Sequence, residues 1–132
     1  MSADIRWKQR FQNFEKAFRM LEKSVAILEP NETERAGVIQ FFEMAFELAW
    51  KLLKDFLEKE GHQVKSPRET LKQALQNGLI EDGHTWIEAL EKRNMTTHMV
   101  DEKTIIVIEN NIQKKYFPLL KKLHEFFTSK IS

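Results

Sequence analysis

Residues 34–60 read E-R-A-G-V-I-Q-F-F-E-M-A-F-E-L-A-W-K-L-L-K-D-F-L-E-K-E. Two adjacent stripes recur at helical spacing: Val38, Phe42, Ala45, Ala49, Leu52 and Phe56, and beside them Phe41, Phe46, Leu48, Leu53 and Leu57. This predicts a helix from about Glu34 to Glu60, ended by Gly61 as a left-handed cap. A helix apolar over most of its circumference is central to a bundle, or buries a second face in a partner subunit. The remaining strip is polar: Gln40, Glu43, Glu47, Lys51, Lys54 and Glu58. Glu47 and Lys51 are spaced for an i, i+4 pair. Glu43 and Glu47 lie one turn apart, but no third ligand or His follows nearby, so a solvated or inter-subunit face explains them better than a metal.

The pattern continues outward. Before this run, Trp7, Phe11, Phe14, Phe18, Leu21, Val25 and Leu28 alternate in steps of four and three, predicting a helix over Ala3 to Leu28 with a narrow packing seam. Pro30 ends it. After the run, Ser66-Pro67-Arg68-Glu69 is a helix start, with Ser as cap, Pro at the first helical position and Glu69 reaching back. That helix carries Leu71, Ala74 and Leu75 and stops at Asn77-Gly78. Asp82 caps a fourth, with Trp86, Ile87 and Leu90 inward, which runs into Arg93-Asn94. Asp101 caps the last, and Val100 is placed to staple to Ile105. Ile105, Ile108, Ile112, Tyr116, Leu119, Leu123 and Phe126 form its inner face, with Pro118 kinking or splitting it. The expected architecture is all-α, an up-and-down helical bundle of about five helices in a single domain over residues 1–132.

Composition agrees. Four Gly and three Pro in 132 residues are too few for the turns of an all-β chain. Absence of Cys excludes disulfides and thiolate zinc sites and suits a reducing cytoplasm. The N-terminus is charged from Asp4, so no signal peptide is expected, and acids interrupt the longest apolar tract, which excludes a membrane span. The net charge of +1 does not favour nucleic acid. Residues 111–132 are nonetheless basic, with lysines at 114, 115, 121, 122 and 130, whereas residues 81–102 are acidic. Lysines in a last helix suit its dipole, and the asymmetry also suits intermolecular contacts.

Chemistry concentrates where the fourth helix ends. Arg93 offers a planar, permanently charged fork for phosphate. His98 titrates nearest neutrality. Asn94 can donate and accept to orient either. The set suits metal-free RNA cleavage through a 2′,3′-cyclic phosphate, the second imidazole coming from a second copy in a two-fold dimer. On spacing and composition alone a structural role is the better reading: Arg93 would pair with one of Glu88, Glu91, Asp101 or Glu102, and His98 would cap a helix. Those acids also work against holding RNA. A metal set of His98, Asp101 and Glu102 has one imidazole and an aspartate needed as a cap, so no metal or other cofactor is called for. His62, His84 and His124 are expected at the surface.

Five segments together carry a family resemblance: D-I-R-W-K-Q-R-F-Q-N-F-E-K-A-F (4–18), F-E-L-A-W-K-L-L-K-D-F-L (46–57), S-P-R-E (66–69), G-L-I-E-D-G-H-T-W (78–86) and R-N-M-T-T-H (93–98). In this order they resemble the nucleotidyltransferase substrate-binding protein family of the HEPN superfamily. The resemblance implies a HEPN helical bundle with a four-helix core, a homodimer, and a separately encoded minimal nucleotidyltransferase as partner. Many such pairs are toxin–antitoxin modules, whose HEPN subunit is a metal-independent RNase and whose transferase neutralises it, in some cases by adding AMP. The family motif of Arg, a polar residue, variable positions and His matches Arg93, Asn94 and His98. AMP-modified members commonly carry Tyr two positions after the His. This chain has Val100 there, so the usual acceptor phenol is missing.

Overall fold

The computed structural model describes residues 2–94 and 101–131. Its order is α1 (Ala3–Val25), α2 (Glu32–Lys59), α3 (Pro67–Gln76), α4 (Gly83–Glu91), α5 (Glu102–Asn111), a π-helical turn (Ile112–Tyr116) and α6 (Phe117–Ile131), the last three continuous along the chain. No strand occurs among the described residues, and none of their helices is long and apolar enough to cross a membrane. The architecture is the all-helical bundle that the periodicity predicts.

Local chemistry sets the boundaries. Asn31 and Glu34 form a capping box that starts α2 two residues before the predicted point. At its other end Gly61, at φ 94°, donates to Glu58 while His62 donates to Leu57, closing the helix in a Schellman turn. Gly78 repeats the arrangement after α3. Ser66 caps α3 as expected, but Glu69 reaches one residue further back and accepts from the Lys65 amide. Asp82 caps α4 through the Thr85 amide, and Asp101 caps α5 through Thr104. The predicted staple partner Val100 lies outside the described residues. The first helix stops at Val25, three residues early, leaving Leu28 90% exposed and not in the seam.

Helix α2 is central, packed by α1, α3, α5, the π turn and α6. Val38, Ile39, Phe42, Ala45, Phe46, Ala49, Leu52, Leu53, Phe56 and Leu57 are buried, which bears out its broad apolar surface. Trp7 meets Phe56 edge-on at 5.1 Å between centroids, and Phe42 stacks on Tyr116 at 5.4 Å. A charged pair accompanies this core: Arg10 Nε donates to Asp55, itself 5% exposed, at 2.9 Å.

The last helix departs from its predicted phase. Pro118 does split it, but the disruption spreads N-terminally over Ile112–Tyr116, where the turn widens to i→i+5 bonding and Phe117 donates to Ile112. The cause is steric: the proline ring would collide with the carbonyl four residues back, and it brings no N–H. The extra residue advances part of the inner face by one position, while Leu123 is buried as expected. Leu120 and Phe127 are fully buried, whereas the expected Leu119 and Phe126 are only partly so. The same shift turns His124 inward. Expected at the surface among lysines, it is 7% exposed, stacks on Phe18 at 4.6 Å and lies 2.8 Å from the Glu15 carboxylate through Nε2. His84 is exposed and His62 half-buried.

Candidate functional site

Arg93 sits just beyond the C-terminus of α4, in a turn closed by its amide donating to the Leu90 carbonyl at 3.4 Å. Its guanidinium folds back on the same carbonyl, Nη1 donating at 3.1 Å. A cation at this end of a helix meets the negative pole of the backbone dipoles, so position and charge agree. The Nε edge faces Glu47 of α2 at 3.9 Å, an ion pair rather than a hydrogen bond. Glu47 is fixed in turn by the Trp50 indole, which donates at 2.6 Å. Arg93 is thus anchored to two helices while keeping a side-chain exposure of 30%. Asn94 follows on the exposed side of the turn. His98 lies outside the described residues, so the Arg93–His98 relation stays an expectation from sequence.

Glu47 is the residue that sequence reasoning misses. Its spacing suits Lys51 on its own helix, yet it engages Arg93 from an element 46 positions later. No local pattern carries that signal. The four acids nearest in sequence, expected to compete for Arg93, have other partners. Glu88 accepts from Tyr116 Oη at 2.6 Å and pairs with Lys115. Glu91 faces Arg68, Asp101 caps α5, and Glu102 faces Arg35. The local negative charge is therefore distributed away from the guanidinium. Two members of the suggested metal set, Asp101 and Glu102, are engaged in the same way, and no cluster of three or more His, Cys, Asp or Glu suited to a metal occurs among the described residues.

The Glu88–Tyr116 bond has electrostatic consequences. The phenol's hydrogen bond, with Lys115 beside it, holds the Glu88 carboxyl below the usual carboxylate range. Burial, reinforced by the adjoining carboxylate, pushes the Tyr116 phenol well above its ordinary value. Tyr116 is therefore a neutral donor, fixing the π turn against α4.

Apolar side chains are exposed on α2 and on α5. Met44, 47% exposed, lies one turn before Glu47 on the same stripe of α2. Helix α5, packed on α2, presents Ile106 and Val107 at 40% and 59% exposure.

Comparison with known proteins agrees with this architecture. The family model described as "Nucleotidyltransferase substrate binding protein like" matches residues 9–129. A curated relative from Haemophilus influenzae, named "Probable ribonuclease HepT", is 30% identical over 82 residues, 58% of this chain, and the match spans 56% of the relative's own length. A crystal structure from Thermus thermophilus superposes with a TM-score of 0.76 at 30% identity, covering 83% of this chain and 94% of the other. A Haemophilus influenzae structure, described as revealing the fold of a substrate binding domain of a nucleotidyltransferase, gives 0.75 at 26% identity, with coverage of 87% and 96%.

Proposed function

The chain belongs to the nucleotidyltransferase substrate binding protein like family, and within it we propose that it is a metal-independent endoribonuclease subunit, acting as a homodimer in the cytoplasm and held in check by a separately encoded minimal nucleotidyltransferase. The observation that carries this reading is the anchoring of Arg93. A guanidinium tied to the Leu90 carbonyl and facing Glu47 is oriented before any ligand arrives, which favours a phosphate clamp over a mobile surface cation. The relative named as a probable ribonuclease supports the same chemistry.

In this mechanism His98 takes the proton of a ribose 2′-hydroxyl, the freed oxygen attacks phosphorus, and the P–O5′ bond breaks. The leaving 5′-oxygen receives a proton from the imidazole of the second copy, leaving a 2′,3′-cyclic phosphate. Arg93 neutralises the charge that develops on the phosphoryl oxygens, and Asn94 orients the reacting groups. Met44 on α2 and Ile106 and Val107 on α5 are exposed, and they supply the apolar contacts through which two copies would bring their motifs to one cleft. Because Val100 stands where AMP-modified members carry Tyr, the usual acceptor for AMP is missing, which favours restraint by contact with the partner.

A second reading is a non-catalytic subunit that presents substrate to the transferase, favoured by the description of the Haemophilus influenzae structure. Expression of wild type and His98→Ala without a partner separates the two. The nuclease reading expects growth arrest and cyclic-phosphate RNA ends from wild type alone. Equal harmlessness, with no such ends, would overturn it.

A further inference from the structure

A cleft of about 720 Å3 lies away from the Arg93 turn, between α4, the turn before it, the π turn and α6. This is the size of small-ligand sites, typically about 300–1,000 Å3. Its floor is apolar, formed by the half-buried Leu79, Leu119 and Phe126. Lys114 and Lys122 stand exposed on the α6 side, and Glu81 on the α4 side. Lys114 and Glu81 make no hydrogen bond or ion pair with another described residue, and Lys122 interacts with the Asp82 carboxylate only at a distance. They differ from Lys115, which also lines the cleft but is paired with Glu88.

The π turn builds this wall. It brings consecutive lysines, 114 and 115, to the same cleft, and the adjoining Pro118 lines it too. Such turns recur at functional sites because they redirect side chains that a regular helix would send apart. The α4 residues lining the cleft are His84, Thr85, Trp86 and Glu88, whereas Arg93 turns to α2. No residue from Ala89 to Asn94 lines the cleft. The cleft is thus separate from the Arg93 turn and does not rest on the nuclease reading.

Three demands define the ligand. It presents an anionic group to the lysines, a planar apolar body to the floor, and N–H or O–H donors to the Glu81 carboxylate. Inorganic phosphate meets only the first, and a simple aromatic acid only the first two. A nucleotide meets all three. We propose that this cleft binds a mononucleotide, its phosphate on Lys114 and Lys122, its base over Leu79, Leu119 and Phe126, and Glu81 accepting from the base or ribose.

Calorimetric titration of the full chain with AMP, GMP and UMP tests this, with inorganic phosphate, adenosine and a single-stranded RNA of about ten nucleotides as further arms. Saturable mononucleotide binding is expected, weakened about tenfold or more by Lys114→Glu with Lys122→Glu and reduced by Glu81→Gln. Lys121→Glu, exposed outside the cleft, leaves it unchanged. All these positions are at the surface, and circular dichroism confirms that the variants fold. In NMR titrations the Leu79 and Leu119 methyl signals shift. Phosphate binding as tightly as the nucleotides would make the lysines a generic anion patch and overturn the proposal. So would the RNA binding where mononucleotides do not, binding that survives the double substitution, loss of binding in Arg93→Ala instead, or no saturation at millimolar nucleotide.

Discussion

Tyr116 Oη donates to the Glu88 carboxylate at 2.6 Å, joining the π turn to α4 across a separation of 28 residues. The phenol is fully buried and the carboxylate partly so, which makes this a sheltered polar tie between the last helix and the element that leads to Arg93. Tyr116→Phe should cost about 1–2 kcal/mol, because it leaves the carboxylate short of a donor without creating a cavity. Thermal denaturation at pH 7 measures it, and an unchanged midpoint would mean that water replaces the bond at no cost.

The same pair predicts pH dependence on both sides of neutrality. Glu88 has a lowered folded-state pKa, so its contribution is complete above the ordinary carboxylate value of about 4.3 and disappears as pH falls through the lower folded value. Tyr116 has a raised one, so its contribution is complete below about pH 10 and declines as pH rises beyond it. Urea denaturation from pH 3 to 11 should show both slopes in wild type. In Tyr116→Phe the alkaline one should vanish and the acid one flatten.

Arg10 and Asp55 tie α1 to α2 by a single bond at 2.9 Å. Arg10→Ala strands a carboxylate that is 5% exposed, and should destabilise by about 3 kcal/mol, more than an exposed pair would. Comparison with Arg6→Ala provides the contrast. Arg6 reaches the less buried Glu58 at 3.5 Å, and its loss should cost under about 1 kcal/mol.

For RNA cleavage, Arg93→Ala and Arg93→Lys should both reduce the rate by roughly two orders of magnitude, since an ammonium cannot reproduce the two-edged guanidinium contact. Glu47→Gln should lower it only a few-fold and leave stability within about 0.5 kcal/mol, because the pair is long and solvent-screened. Single-turnover assays on a short RNA decide this. An Arg93→Lys variant as fast as wild type would remove the clamp assignment.

Dimer formation through the exposed apolar side chains of α2 and α5 is tested by Met44→Glu and Val107→Asp. Each should shift the sedimentation profile towards monomer and reduce cleavage in proportion, while circular dichroism stays unchanged, since both side chains are exposed in the isolated chain.

Much of the architecture was legible because its signals are local. Ser66, Asp82 and Asp101 announce their helices through side-chain caps, Gly61 and Gly78 end theirs by a positive φ, and the crowding of apolar residues on α2 marks the centre. What could not be read depends on other parts of the chain. Pro118 signals a break but not its form. The choice of a widened turn over a kink changes which later side chains face inward, exchanging Leu119 for Leu120 and drawing His124 into the core while Leu123 stays buried. Arg93 was identifiable as a phosphate-binding candidate, but its anchor was not, because Glu47 meets it only after α2 and α4 have packed.

The ring contacts between the first and last helices run in reverse order. Trp7 lies 5.7 Å from Phe127, Phe11 5.6 Å from His124, and Phe18 5.6 Å from Phe117. The helices are therefore antiparallel, and the start of α1 and the end of α6 emerge at the same end of the bundle. A short flexible linker joining them, with new termini opened in the exposed turn around Leu28 and Glu29, gives a circular permutant that keeps every helix intact. The native chain order is thus one of several compatible with this packing, and an affinity tag on α1 or α6 projects from the same pole.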